Sequence, residues 1–478
     1  MNQRANFLPM ERVVRLENFG HSFAAPGFVY RPTHPEQVEE IFAAAGQNGL
    51  HVGLRGAGRS YGDAATNTGE IVMDMQRMNR ILDWDPDTGV IQVEPGVTIG
   101  QLWEYIIEDG WWPPVVPGTM APTIGGCLAS NVHGKNNWKA GTIGEHVLSF
   151  SALLPSGQQV TCSPTKNKEL FYAMIGGMGI LGVFVSIRMQ MKRIYSGDLE
   201  VYAWAEPDLE RSLAALDEAK DSDYVVGWVD ATPRRSRLGR GQMHTARYLE
   251  EGEDASPLRS FRPQHQILPD TILGLVPKAV TWRFMRPVMN NLGVWAGNTG
   301  KYLMNRTLGN HKRYLQSLVA FNFLLDYVPD WERAYGPGGL IQYQSFLPKE
   351  TAHDAYAGML QLCKRRRLPS YLGVIKRHRP DDFLISHSLD GFSLALDFPV
   401  SKRSRTRLLQ LLTDLNQIVL QAGGRFYFAK DSSLNPTEVS QYLGQKTIAA
   451  FRRIKERVDP EGLLQSDLYR RCFTDGVG

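Results

Sequence analysis

The stretch from Leu54 to Asp63 constrains the fold of this chain most strongly, because three of its ten residues are glycines. It follows the short apolar run His51–Leu54, so a strand should lead into a turn whose backbone N–H groups are open to a diphosphate. The stretch is not a Walker loop, because no Gly-Lys-Ser/Thr follows, and it lacks the Gly-x-Gly-x-x-Gly spacing of the dinucleotide fingerprint. Taken alone, an ordinary surface turn explains it equally well.

Two later stretches repeat this glycine-rich pattern. Pro117–Thr119 is followed by Thr123–Asn136, and a third turn runs from Ile175 to Gly182. Turn geometry in an α+β fold is the alternative explanation for each of them. Three such loops in one chain favour a shared nucleotide ligand.

The three loops together resemble the PCMH-type FAD-binding domain of the vanillyl-alcohol oxidase/MurB-type flavoenzymes. The resemblance runs from about Arg31 to Arg471 and is patchy in the middle of the chain. Within that superfamily, five short motifs are similar to the decaprenylphosphoryl-β-D-ribose 2′-oxidase family: Arg59–Asp63, His133–Asn136, Gln342–Gln344, Ala429–Ser432 and Ser466–Asp467.

The length of 478 residues predicts two or three domains. The resemblance implies an α+β fold in which a two-subdomain PCMH-type FAD-binding domain takes residues 1–195. A substrate domain of antiparallel sheet plus helices is inserted at 196–415, and a C-terminal segment at 416–478 returns to the FAD domain. The flavin ring should then lie at the seam between domains, where ligand sites often occur.

Sequence periodicity predicts the main elements of this fold. Helices are expected at Pro35–Ala45, Ile99–Glu108, Lys168–Met174, Ala352–Lys364, Lys402–Ala422 and Ser440–Val458. Strands are expected at His51–Arg55, Ile71–Asp74, Val90–Glu94, Val147–Leu154, Gly182–Ile187, Val225–Val229, Leu340–Phe346, Tyr371–Lys376 and Phe392–Phe398. The segment Gly423–Asp431 is expected to form a turn and a strand.

Bulk composition excludes several classes of protein. The net charge of +4 is small for this length and gives no reason to expect a nucleic-acid partner. The four cysteines are far apart and fit no zinc or redox spacing, so we expect reduced thiols, a cytoplasmic protein and no metal site. The first residues have no apolar core, which argues against a secretory signal.

Residues 255–313 stand apart, because they hold nine Lys or Arg and one acid, Asp270, among apolar and aromatic residues. One interpretation is an ordinary helical excursion with solvated charges. The other is a peripheral membrane contact at the inner face of the membrane, since basic residues beside aromatics suit an anionic headgroup layer.

The resemblance implies non-covalent FAD. Some members of the superfamily bond FAD to a histidine just after the first Gly-x-Gly, and here that position is Arg59. The cofactor contacts that it implies are Arg55, Gly56, Ala57, Gly58, Arg59, Ser60, Tyr61, Gly62, Gly118, Thr123, Ile124, Gly125, Gly126, Ser130, Asn131, Val132, His133 and Tyr427. Backbone amides of Gly56–Gly62 and of Thr123–Gly126 are expected to hold the diphosphate.

Three residues are candidates for catalysis: Lys430, His133 and Tyr61. A cation at Lys430 would stabilise the charge that arrives with the hydride and would favour a substrate alkoxide. The alternative for Lys430 is a salt bridge with Asp431 or a solvated position. His133 would orient a substrate or shuttle a proton, or else serve a structural role inside its loop. Tyr61 resembles a residue that lines the flavin ring.

The resemblance also implies a substrate pocket made by Trp228, Gln342, Gln344, Lys376 and Lys430, with ordinary strand packing as the alternative. The chain departs from the family pattern beside this pocket. Ala395 replaces a cysteine, Ser393 replaces an amide, and Asn322 stands where a tyrosine is expected. The substrate is therefore open to variation.

The resemblance implies oxidation of the 2′-OH of a polyprenyl-phosphoryl-β-D-ribose, as the first half of an epimerisation that supplies a cell-wall arabinan precursor. A partner NAD(P)-dependent keto-reductase would complete it. A soluble alditol or sugar-lactone oxidase of the same superfamily is the alternative, and a non-catalytic flavoprotein is a third. Oxygen, a quinone and other electron acceptors are all compatible with these residues.

Overall fold

The structure is a computed structural model that describes residues 8–232, 237–272, 274 and 276–474. Its α-helices are α1 Pro35–Asn48, α2 Ile99–Ile106, α3 Ile124–Ala129, α4 Asn137–Ala140, α5 Lys168–Met174, α6 Leu209–Glu218, α7 Pro257–Ser260, α8 Pro263–Gln266, α9 Lys278–Met285, α10 Asn291–Thr307, α11 Leu318–Asn322, α12 Ala352–Arg365, α13 Arg405–Gln421, α14 Pro436–Leu443, α15 Gln445–Val458 and α16 Asp467–Phe473. Short 3-10 turns lie at Met10–Arg12, Met75–Arg77, Ile107–Asp109, Ile143–His146, Arg286–Val288, Leu324–Tyr327 and Trp331–Tyr335.

The strands form three main sheets. They are β1 Val13–Glu17, β2 Ala24–Tyr30, β3 Val52–Arg55, β4 Ile71–Asp74, β5 Ile81–Asp85, β6 Val90–Val93, β7 Trp111–Trp112, β8 Val147–Leu153, β9 Gln159–Cys162, β10 Val183–Gln190, β11 Lys192–Arg193, β12 Asp198–Glu206, β13 Tyr224–Val229, β14 Gly241–Tyr248, β15 Thr271–Ile272, β16 Val276–Pro277, β17 Lys312–Ser317, β18 Leu340–Pro348, β19 Leu372–His378, β20 Gly391–Pro399 and β21 Arg425–Phe426. The predicted strands are found, with end shifts of a few residues.

Two of the sheets belong to the first part of the chain. A four-stranded sheet has the order β1-β2-β4-β3 and is parallel between β2, β4 and β3. A five-stranded antiparallel sheet has the order β5-β6-β10-β8-β9. Helix α1 begins at Pro35 and ends at Asn48, because the following Gly49 adopts a left-handed φ of 63°. The first glycine loop follows β3, and the third precedes β10.

The third sheet has eight antiparallel strands in the order β17-β12-β14-β13-β19-β20-β18-β21. Its residues come from the middle of the chain, apart from β21, which pairs with β18 through Phe426 and Ser345. Mixed helices and antiparallel sheets confirm the α+β fold class. The division into domains at 195 and 415 stays a prediction.

The end of the chain returns to the first sheet. Leu464 makes a parallel bridge to Val52, and the Thr68 hydroxyl donates to Asp467 at 3.0 Å. One predicted element in this region is wrong, and another is shorter than expected. The helix expected at 440–458 is two helices, α14 and α15, because Gly444 adopts a positive φ of 82° between them. The turn and strand expected within 423–431 are found, but the strand is short: it covers only Arg425–Phe426 and leads into a second turn, in which the Lys430 N–H donates to Tyr427 O.

Among the described residues, none of the helices combines the length and the apolar character that a membrane span needs. The uncharged stretch 170–187 comprises the end of α5, the third glycine turn and the start of β10.

Candidate active site

A cavity of about 380 Å³ lies between the glycine loops and the eight-stranded sheet. Its walls are formed by residues of the first loop, by the segment from Pro117 to Lys135, by Met178 and Gly179 of the third loop, and by side chains of β13, β18, β19 and β20. This volume is typical of small-molecule sites. The three glycine stretches therefore meet at one cavity, and the turn from Tyr427 to Lys430 closes it.

The first loop offers a row of free backbone donors. The N–H groups of the four residues Ala57–Ser60 have no hydrogen-bond partner in the described part of the chain. Gly56 lies so close to the second loop that a Cβ would stand 2.2 Å from Thr123 Oγ1. Unpaired main-chain donors in a bend without side-chain cover fit a diphosphate, so the residues present suit FAD.

The backbone donors of the second loop differ from those of the first. The Ile124 N–H donates to Val97 O, and the Gly125 N–H donates to Pro95 O, both at 2.8 Å. The Gly126 N–H donates to Thr123 Oγ1 at 3.3 Å, because Thr123 caps the first turn of α3. Three of the four amides of Thr123–Gly126 are thus paired within the protein, and the expectation that this turn helps to hold the diphosphate stays a prediction. Gly125 and Gly126 still line the cavity with their surfaces.

Three of the predicted cofactor residues do not line the cavity. Ile124 is fully buried in the core, and Gly62 packs so tightly that a Cβ would meet Asp431 O at 1.7 Å. The side chain of Asn131 is buried and accepts from the Gly144 N–H at 3.1 Å. The other predicted cofactor residues, and all five predicted substrate residues, line the cavity.

Lys430 lies at the centre of the site. Its ammonium is 3.6 Å from the centre of the Tyr61 ring. Burial lowers the pKa of Lys430 to about 7, against an upward pull from Asp397 and with a smaller downward push from Lys376. Asp431 is not its partner, because that carboxylate accepts from Arg471 at 2.8 Å. The alternative of a salt bridge to Asp431 is thereby excluded.

Three further lysines line the cavity: Lys135, Lys301 and Lys376. Burial lowers the pKa of Lys376 to about 8 and that of Lys135 to about 7, with Lys376 adding to the second shift. The sequence predicts Lys376 but not Lys135, whose ammonium donates to Phe321 O. The described residues that line the cavity include no Asp or Glu. The cavity therefore favours anions, because nothing in its wall neutralises these cations.

Asp397 is a buried carboxyl behind the cavity wall that sequence reasoning misses. Gln342 Nε2 donates to its Oδ1 at 2.6 Å, whereas its Oδ2 has no partner in the described part of the protein. Burial raises the pKa of Asp397 to about 6. Since a carboxylate only accepts hydrogen bonds, it fixes the Gln342 amide nitrogen toward itself. The carbonyl oxygen of Gln342 is then available to the cavity.

His133 is buried and neutral. The Gln344 side-chain amide donates to its Nε2 at 3.0 Å, and its Nδ1 has no partner within the described chain. Burial, followed by the nearby Lys376, holds the pKa of His133 well below its usual value. The rings of His378 and His387 lie 4.8 and 5.4 Å away. This geometry favours a role in orienting Gln344.

Arg471 in α16 connects the first loop to the Lys430 turn. It donates to both carboxylate oxygens of Asp63, at 2.8 and 2.7 Å, and to Asp431 at 2.8 Å. The Tyr61 N–H donates to Ala429 O at 2.9 Å. The predicted catalytic lysine is thus held against the first glycine loop by the last helix of the chain.

Comparison with known proteins gives consistent matches. The model of the FAD binding domain family matches residues 26–163. Decaprenylphosphoryl-beta-D-ribose oxidase of Mycolicibacterium smegmatis is 30% identical over 96% of this chain and 97% of its own length. An uncharacterised protein of Streptomyces coelicolor is 27% identical over 78% of this chain and 99% of its own. L-gulonolactone oxidase of Bos taurus is 28% identical over 37% of this chain and 40% of its own.

Proposed function

Because this chain belongs to the FAD-linked oxidoreductases that include decaprenylphosphoryl-β-D-ribose oxidase, we propose that it oxidises a secondary hydroxyl of a sugar. FAD is its cofactor, as the glycine loops predict. The substrate that we propose is a polyprenyl-phosphoryl-β-D-ribose, and the product is its 2′-keto sugar. Non-covalent binding of FAD is part of this proposal, since Arg59 occupies the position at which a histidine would form the covalent link.

The buried position of Lys430 in the cavity is the observation that carries the proposal. Bound FAD supplies the hydride acceptor at its N5 atom. The Lys430 ammonium, buried and close to Tyr61, would hold the substrate oxygen and stabilise the alkoxide that forms when the hydroxyl proton passes to solvent and the hydride leaves. Such a charge acts more strongly in a dry site than in water. Tyr61 would cover the ring, and His133 would orient Gln344.

A phosphate on the sugar accounts for the other lysines. Lys135 and Lys376 lie in the same wall as Lys430, and no acidic side chain lines the described cavity. Gln342 would offer an acceptor, and Gln344 a second polar contact, to the sugar hydroxyls. The Trp228 ring would form the aromatic wall. An uncharged polyol has no anionic group that could bind to these lysines.

A soluble sugar-lactone or alditol oxidase is the second candidate, favoured by the similarity to L-gulonolactone oxidase. That similarity covers little more than a third of the chain, and it does not explain the basic apolar segment. For the first candidate we also propose an NAD(P)-dependent keto-reductase as the partner that consumes the 2′-ketone, and a site of action at the cytoplasmic face of a membrane.

Anaerobic titration of the purified holoenzyme separates these candidates. Polyprenyl-phosphoryl ribose should bleach the flavin absorbance within one equivalent, whereas xylitol and L-gulonolactone should leave it unchanged. Bleaching by the polyol or the lactone alone would replace the first candidate with the second. A purified protein without the two-band flavin spectrum would contradict both.

A further inference from the structure

Apolar side chains are exposed over one part of the surface. Nineteen large apolar residues are exposed in the described chain, and twelve of them lie between 258 and 324: Leu258, Ile267, Phe284, Val288, Leu292, Trp295, Leu303, Met304, Leu308, Tyr314, Leu315 and Leu324. Soluble monomers rarely gather exposed apolar groups in this way, so the region is a candidate contact surface.

Helix α10 at the centre of this region has two different faces. Leu292, Trp295 and Leu303 fall on one side at 3.6 residues per turn, and they are 72%, 49% and 51% exposed. Val294 and Asn305 fall on the opposite side and are buried. The outer side is apolar although it faces away from the protein core.

Helix α10 is fixed to the sheet that carries the substrate residues. Asn298 donates to Asp230 at 3.1 Å, and Arg240 donates to Thr299 at 2.8 Å. The Lys301 ammonium lies 4.1 Å from the centre of the Trp228 ring. Lys301 and Trp228 both line the cavity, so α10 covers its substrate end.

The charge around the exposed residues is positive. Residues 255–313 contain nine Lys or Arg and a single acid, Asp270. Arg283 and Arg286 are exposed on either side of Phe284. An apolar and aromatic helix face with flanking arginines matches the interface of an anionic bilayer. Two copies of the same surface would instead repel each other through these charges.

We propose that this surface, formed by Phe284, Val288, Leu292, Trp295 and Leu303 and called here the outer surface of α10, binds an anionic lipid bilayer. The inference rests on the proposed function, because a lipid-linked sugar gives the contact its purpose. The same helix covers the cavity and meets the lipid. A glycosyl phosphate can therefore reach Lys430 while its prenyl chain stays in the bilayer.

Vesicle co-sedimentation of the holoenzyme tests the proposal without any substrate. Vesicles of phosphatidylcholine with a quarter of phosphatidylglycerol should bind the protein about tenfold better than pure phosphatidylcholine. The triple variant Leu292→Ser/Trp295→Ser/Leu303→Ser should lose about tenfold or more of this binding. Arg283→Gln/Arg286→Gln should remove the preference for the anionic lipid.

A matched control uses exposed apolar residues elsewhere on the protein. Leu82, Tyr105 and Leu148 are 42%, 53% and 37% exposed, and changing all three to serine should leave vesicle binding unchanged. Flavin content and melting temperature report whether each variant is folded.

Wild-type protein that ignores anionic vesicles, or a folded triple variant that binds them normally, would overturn the proposal. So would gel filtration in which the variant converts a dimer to a monomer while its vesicle binding is unchanged. A different observation tests the proposed function. A short-chain, water-soluble phosphoryl ribose should bleach the flavin without a membrane, and failure to do so would contradict the proposed function. Normal bleaching in the triple variant supports a role in docking alone.

Discussion

The two ends of the cavity are formed by different chemical groups of the chain. At the cofactor end, the site is formed by the main chain: the N–H groups of Ala57–Ser60 are free, and Gly56 packs closely against Thr123. At the substrate end, Lys376, Lys430 and Gln342 act through side chains that three separate segments supply. The cofactor end therefore tolerates little change, whereas the substrate end can be retuned one residue at a time.

The departures from the family pattern follow this division. Ala395, Ser393 and Asn322 all line the substrate end of the cavity. We infer that the choice of sugar is the property that varies within this fold.

Filling the cofactor end should have the largest effect. Gly56→Val places a branched side chain where a Cβ alone would come within 2.2 Å of Thr123 Oγ1. The two loops must then separate, and we expect a folded protein that retains less than about a tenth of its flavin. Absorbance and circular dichroism of the purified variant measure both properties.

Gly46→Ala is the matched control for that change. Gly46 lies in α1, and a Cβ there meets nothing within 4 Å. This variant should keep its flavin and gain about 0.5–1 kcal/mol in free energy of unfolding. Normal flavin content in Gly56→Val would show that close packing does not define the cofactor end.

Lys430→Ala should act only at the substrate end. Loss of the buried ammonium should reduce turnover about 10²- to 10³-fold, while the bound flavin stays. Rapid-reaction measurement of flavin bleaching gives the rate of the chemical step directly. Lys349 is exposed, and Lys349→Ala should match the wild type. Full activity in Lys430→Ala would refute the role assigned to this residue.

Asp397→Asn should have a smaller effect that depends on pH. In the wild type, kcat/KM should fall as pH rises through the Lys430 pKa of about 7, because the charged lysine is the active form. Asp397 raises that pKa, so removal of its charge should move the fall to lower pH. The amide can still accept from Gln342. Asp382→Asn, at an exposed carboxyl, should leave the pH profile in place.

Ala395→Cys should change catalysis least. Ala395 on β20 pairs with Gln344 on β18 and lines the cavity. A thiol at this position is small enough to enter the cavity without a clash. We expect turnover within about threefold of the wild type and new labelling by iodoacetamide. The four native cysteines are buried and should stay unlabelled in the parent protein. A large loss of turnover would show that this end is as tightly packed as the other.

The same contrast explains what the sequence can predict. The glycine loops and most strands are recognisable because their cause is local: a bend needs glycine, and a buried strand needs apolar residues. Asp397 is different, since it faces Gln342 only through the register of β18 on β20. The partners of the Ile124 and Gly125 N–H groups are hidden for a similar reason, because Val97 and Pro95 accept them from outside the motif.

The bonds of Arg471 to Asp63 and Asp431 have a consequence for biosynthesis. A ribosome that has added the first 400 residues has already made all three glycine loops, but neither Lys430 nor the arginine that holds it. The FAD site of the nascent chain is then still incomplete. Capture of the coenzyme is therefore a late event, and a message cut short before α16 should yield colourless protein.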